Sequence, residues 1–70
     1  MEVQIRETDD FIKLGQALKK AGLVGSGVEA KEVIQNGEVE VNGAVDTRRG
    51  RKLYDGDRVS FNGEELVIVK

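Results

Sequence analysis

Arg48-Arg49-Gly50-Arg51-Lys52 puts four cations into five residues. Like charges this close repel one another until an anion arrives. A phosphate backbone would relieve that repulsion and release condensed counterions. Guanidinium groups add bidentate geometry and stack on unpaired bases, and Gly50 lets the backbone turn sharply or approach a ligand closely. The competing explanation is a solvated charge run neutralised by Asp46, Asp55 and Asp57 nearby. A basic run of this length does not by itself decide between the two.

A second basic block is formed by Lys13, Lys19, Lys20 and Lys31. Lys13 and Lys19 read as ordinary exposed helix residues, since lysine needs no special reason to sit on a surface. Lys20, at the end of a helix, and Lys31 are candidates to extend the arginine patch. Ser26 reads first as a helix cap, and a hydroxyl at a helix N-terminus also lies where a phosphate could be held. Tyr54 could stack on a base, but with only Phe11 and Phe61 as other aromatics it is expected to pack.

Other chemistries find little support. The chain has no histidine and no cysteine, which removes imidazole acid–base catalysis, disulfides and the usual zinc sites. Asp55-Gly56-Asp57 supplies too few oxygens for a calcium loop. Gly25-Ser26-Gly27 follows a helix rather than a strand and has no Lys-Ser/Thr ending, so it is no phosphate loop. With no nucleophile–base pair, an enzyme is not expected, nor is a cofactor or a metal.

Taken alone, the net charge of −2 over 70 residues opposes an anionic partner, but the average hides the distribution. Residues 1–12 carry −3, 13–37 carry +2, 38–47 carry −3, 48–52 carry +4 and 53–70 carry −2. The functional question is whether folding unites the two basic blocks. No stretch approaches the ~20 apolar residues of a membrane span, and Met1 to Arg6 has neither a secretory nor a transit pattern. The expectation is a soluble cytoplasmic protein.

Local patterns predict the elements that must position these residues. Val3 and Ile5 alternate with polar neighbours, as in a short strand. Thr8-Asp9-Asp10 suits a helix entry, and Phe11, Leu14, Leu18 and Ala21 recur at helical spacing, with Gly15 a weak point unless it permits close packing. Ser26-Gly27-Val28-Glu29 is a capping box opening a second helix that buries Ala30, Val33 and Ile34 and ends at Asn36-Gly37. The period then changes to two. Val39 and Val41 precede Asn42-Gly43, and Val59 and Phe61 precede Asn62-Gly63, two hairpin signals. Asp46 to Lys52 reads as a loop, and Leu66 to Val69 as a closing strand. The order β-α-α-β-β-β-β predicts a single α+β domain over 1–70, a two-helix hairpin packed on a small, mostly antiparallel sheet. The first and last strands are free to pair.

Leu14-x3-Leu18-x2-Ala21-Gly22, Ser26-x3-Ala30-Lys31-x2-Ile34-x2-Gly37-x-Val39-x-Val41-Asn42-Gly43 and Gly56-Asp57-x-Val59 together resemble the RNA-binding domain of the ribosomal protein S4 type, the αL motif. The resemblance spans about residues 11–61. Asp46 to Leu53 further resembles small stand-alone bacterial members. The resemblance implies a non-catalytic, monomeric protein that docks structured RNA, ribosomal RNA or the ribosome, on the helical hairpin and the following loop. Carried over, it implicates Ser26, Lys31, Arg48, Arg49, Arg51 and Lys52, with Lys20 beside them. It departs at Gly27, where many members carry arginine. The alternative is a protein-interaction module that uses the basic loop or an exposed edge strand.

Overall fold

The computed structural model describes residues 1–70. Its elements are β1 (Glu2–Gln4), β2 (Ile12–Lys13), α1 (Leu14–Lys20), α2 (Gly27–Gln35), β3 (Val39–Val41), β4 (Ala44–Val45), β5 (Lys52–Leu53), β6 (Arg58–Phe61) and β7 (Glu64–Val69). Five strands form one sheet in the order β1-β7-β6-β3-β4. Every pairing in it is antiparallel except β1 with β7, so the first strand does join the last, in parallel. The fold is the expected α+β arrangement of two helices on a mostly antiparallel sheet.

Both Asn-Gly pairs make their turns with positive φ at each residue, 52° and 85° at Asn42-Gly43 and 52° and 80° at Asn62-Gly63. That is the turn whose twist matches a two-residue hairpin. One face of the sheet carries Val3, Ile68, Leu66, Val59, Val39 and Val41, all buried. Leu14, Ala17 and Leu18 of α1 and Ala30 and Ile34 of α2 close over that face to form a single core. By the alternation of side chains along strands, the opposite face shows Glu2, Glu40, Glu65 and Arg58 to solvent, with Arg58 Nη1 donating to Glu65 Oε1 at 2.8 Å.

The first helix differs from expectation at its start. It begins at Leu14, and Thr8-Asp9-Asp10 does not cap it. Asp9 instead accepts from Arg6 Nε at 3.0 Å. Phe11 had the right spacing for the apolar stripe, yet Ile12 and Lys13 form a two-stranded antiparallel ribbon with Leu53 and Lys52. Burying Ile12 against Leu53 across that ribbon outweighs one more turn of a short helix, whose intrinsic stability is marginal. The cap of α2 is as expected on one side: Ser26 Oγ accepts from the Glu29 amide at 3.1 Å. On the other side the Glu29 carboxylate accepts from the Gly25 amide at 2.8 Å, one residue earlier than the standard box.

Candidate nucleic-acid interface

The loop between β4 and β5 is organised by one buried carboxylate. Asp46 is 6 % exposed. Its Oδ1 accepts from the Arg48 amide at 2.9 Å and from Arg48 Nε at 3.0 Å. Its Oδ2 accepts from Arg48 Nη2 and from Arg51 Nη1, both at 2.8 Å. The hydrogen bond from Arg48 is the main reason the Asp46 carboxyl titrates well below the usual carboxylate range; burial opposes the shift and the bond from Arg51 reinforces it. Asp46 in turn raises the Arg48 guanidinium further above its ordinary pKa. Four hydrogen bonds thus fold a cation-rich segment back on itself, and Arg48 to Arg51 closes as a turn with the Arg51 amide donating to the Arg48 carbonyl at 3.1 Å.

Asp55 and Asp57 take no part in this. Asp57 accepts from the Tyr54 amide and from Asn42 Nδ2, and Asp55 accepts from the Lys70 amide. Local neutralisation therefore reaches Arg48 and Arg51 only, and the stretch from residue 46 to 52 keeps a net charge of +4 − 1 = +3.

The loop is docked on α1 through its backbone. The Leu14 amide donates to the Arg51 carbonyl at 2.9 Å and the Gly15 amide to the Arg49 carbonyl at 3.0 Å. Together with the Gln16 side chain, which accepts from the Lys13 amide at 3.1 Å, these carbonyls take up three of the N–H groups that the helix start leaves free. Gly15 makes the approach possible. A Cβ there would lie 2.7 Å from Arg49 Cγ and 3.4 Å from its Cδ, so the arginine stem lies directly on the helix backbone.

A groove results between the starts of the two helices and the loop. Lys13, Gly15, Gln16, Lys19, Gly27, Ala30, Arg49 and Gly50 line a concavity of about 390 Å³. No carboxylate lines it. Lys13, Lys19 and Arg49 make no ion pair, whereas Arg6, Arg48, Arg51, Arg58 and Lys70 each pair with an acid. Gly27, where an arginine stands in many proteins of the resembled type, leaves the floor of this groove open: nothing lies within 4 Å of where its Cβ would be.

The sequence-predicted residues divide on this geometry. Arg49 lines the groove, and Ser26 adjoins it at the start of α2. Lys31 is exposed on α2, one turn beyond Gly27. Arg48 and Arg51 are held by Asp46, with Arg48 still largely exposed. Lys52 lies opposite Lys13 in the β2–β5 ribbon, with Nζ 4.8 Å from the centre of the Phe11 ring. Lys20 turns the other way and donates to the Gln4 carbonyl at 2.6 Å. Lys13 and Lys19 carry no local signal that sets them apart from ordinary surface lysines, and Gly15 is the one local sign that something packs closely there. Tyr54 is 49 % exposed and meets Phe11 with ring centres 6.1 Å apart, so it is neither buried nor free.

A sequence profile described as "S4 domain" matches residues 3–69. The probable ribosome maturation protein RlbA of Bacillus subtilis (strain 168) is 50 % identical over 54 residues, covering 77 % of this chain and 76 % of the relative. The putative RNA-binding protein YbcJ of Escherichia coli (strain K12) is 41 % identical over 58 residues, 83 % of each chain. The solution structure of E. coli YbcJ, described as revealing an αL motif involved in RNA binding, superposes with a TM-score of 0.75 at 35 % identity. That likeness covers 99 % of this chain and 86 % of the other.

Proposed function

The chain belongs to the S4 domain family, and on that premise we propose that residues 1–70 act as one non-catalytic RNA-binding domain that docks structured ribosomal RNA as a cytoplasmic monomer. The observation that carries this is the acid-free groove in which Lys13, Lys19 and Arg49 stand without counter-charges. In a chain with more acids than bases, leaving these three cations unpaired makes sense where an anion takes the place of a carboxylate. Phosphates along one RNA strand fit that need, because they are spaced, negative and able to accept several hydrogen bonds each.

Arg49 is the central phosphate ligand, with Lys13 and Lys19 on the α1 side. Lys31 and Lys52 flank the groove. The Ser26 hydroxyl, which accepts from Glu29, keeps its own proton to donate. Arg48 and Arg51 serve mainly to hold the turn, and their remaining N–H groups reach the rim. Lys20 stands at the far edge. Recognition of this kind reads backbone and shape before base identity. The name of the B. subtilis relative supports the ribosome as the setting.

The test is a salt titration of binding to ribosomal RNA fragments recovered by crosslinking in cell extract. Changing Lys13, Lys19 and Arg49 to alanine together is expected to lower affinity by ~100-fold at low salt. It should also reduce the slope of log K against log salt by about 3, as loss of three phosphate contacts requires. Unchanged affinity and slope in the triple variant, or crosslinks to protein without RNA, would overturn the proposal.

A further inference from the structure

On the other side of Gln16 and Lys19 lies a second concavity, of about 450 Å³, with Arg6, Asp9, Phe11 and Lys20 completing its polar and aromatic lining. Gln16 and Lys19 line both concavities, so the two are adjoining sites divided by one ridge. The phosphate groove has no aromatic lining; this one has the Phe11 ring. Phe11 is not part of the helix, and it is fixed in place by Tyr54 at 6.1 Å and by the Lys52 ammonium at 4.8 Å. Its ring is thus presented at the surface rather than absorbed into the core cluster.

We infer that this second concavity takes an unpaired nucleobase, turned out of the RNA whose backbone occupies the adjoining groove. The inference rests on the RNA-binding proposal and adds the kind of RNA. The volume lies in the range of sites that hold a small aromatic ligand. Phe11 offers a stacking surface, and base–aromatic stacking tolerates any base. Gln16 supplies polar specificity: its Oε1 is engaged by the Lys13 amide, which leaves the amide Nε2 hydrogens to donate to a base carbonyl or ring nitrogen. Lys19, on the dividing ridge, is placed to contact the phosphate that joins the turned-out nucleotide to its neighbour. A continuous duplex would leave this concavity unfilled, whereas a helix interrupted by a bulge or junction would fill both.

Two hairpin RNAs distinguish these cases, one fully paired and one carrying a single bulged 2-aminopurine, each titrated with the intact chain. The bulged RNA is expected to bind ~10-fold more tightly, with its fluorescence quenched on binding. Phe11→Leu should bring the bulged RNA down to the affinity of the paired one, and leave the paired one unchanged. Equal affinity for the two RNAs, or equal weakening of both by Phe11→Leu, would overturn the inference while leaving the RNA-binding proposal standing. Failure of the wild-type chain to bind either RNA would overturn both.

Discussion

Arg48 and Arg49 are adjacent in the chain and opposite in use. Arg48 spends its guanidinium on Asp46, a buried carboxylate that also holds Arg51. Arg49 makes no such bond, rests its stem on Gly15, and faces a groove with two equally unpaired lysines. The difference separates two jobs that a basic run performs at once. Paired cations shape the loop; on the proposed function, the unpaired ones are those that meet the ligand. A count of positive residues would have weighted them alike.

The contrast can be broken at the pairing side with the largest effect. Asp46→Ala removes all four hydrogen bonds and leaves Arg51 half-buried without an acceptor, and is expected to cost about 2–3 kcal/mol of stability, read by chemical denaturation. The sign of its pH dependence is fixed. The native carboxyl titrates below its unfolded value of about 3.9, so its contribution is complete above that value and is lost as pH falls through the acid range. The stability gap between wild type and variant should therefore be constant at neutral pH and close below about pH 4. A gap that did not change with pH would mean the carboxylate is not what holds the turn.

A smaller effect is expected on the presenting side. Gly15→Ala improves helix propensity by about 1 kcal/mol, but its Cβ would collide with the Arg49 stem. Stability should stay within about 1 kcal/mol of wild type while RNA affinity falls about fivefold, the worth of roughly 1 kcal/mol. Stability lost with affinity retained would show that Arg49 moves aside at no cost to binding. The smallest effect belongs to the far face of the sheet. Glu40→Gln lies on the solvent face of the sheet, away from the helices, where its charge is screened over ~8 Å at physiological ionic strength. RNA affinity should change by less than about twofold. A larger gain would mean that the acidic face, and not the groove alone, sets the binding free energy.

Features that depend on neighbours in sequence were legible. Ser26 and Glu29 announce the second helix, and each Asn-Gly pair announces a hairpin, because capping and turn formation act over three or four residues. The start of the first helix was not, since Ile12 and Lys13 are drawn into a strand by Leu53 and Lys52, forty residues away. The groove was half legible. The arginine run was visible, but which arginine would be free depended on Asp46, two positions before Arg48. An acid that close to a basic run is the signal that could have divided it. Lys13 and Lys19 look like any surface lysine until the loop docks beside them, and no local pattern carries that information.

The carbonyls of Arg49 and Arg51 finish the first turn of α1. A glycine-containing basic loop would ordinarily sample many shapes and would have to surrender that freedom when it met a ligand. Here the loop cannot stray without stripping a helix of its hydrogen bonds, so its conformational entropy is surrendered during folding. On the proposed function, an incoming RNA would meet a preorganised site, and the free energy of contact would appear as affinity with little deducted for ordering the protein.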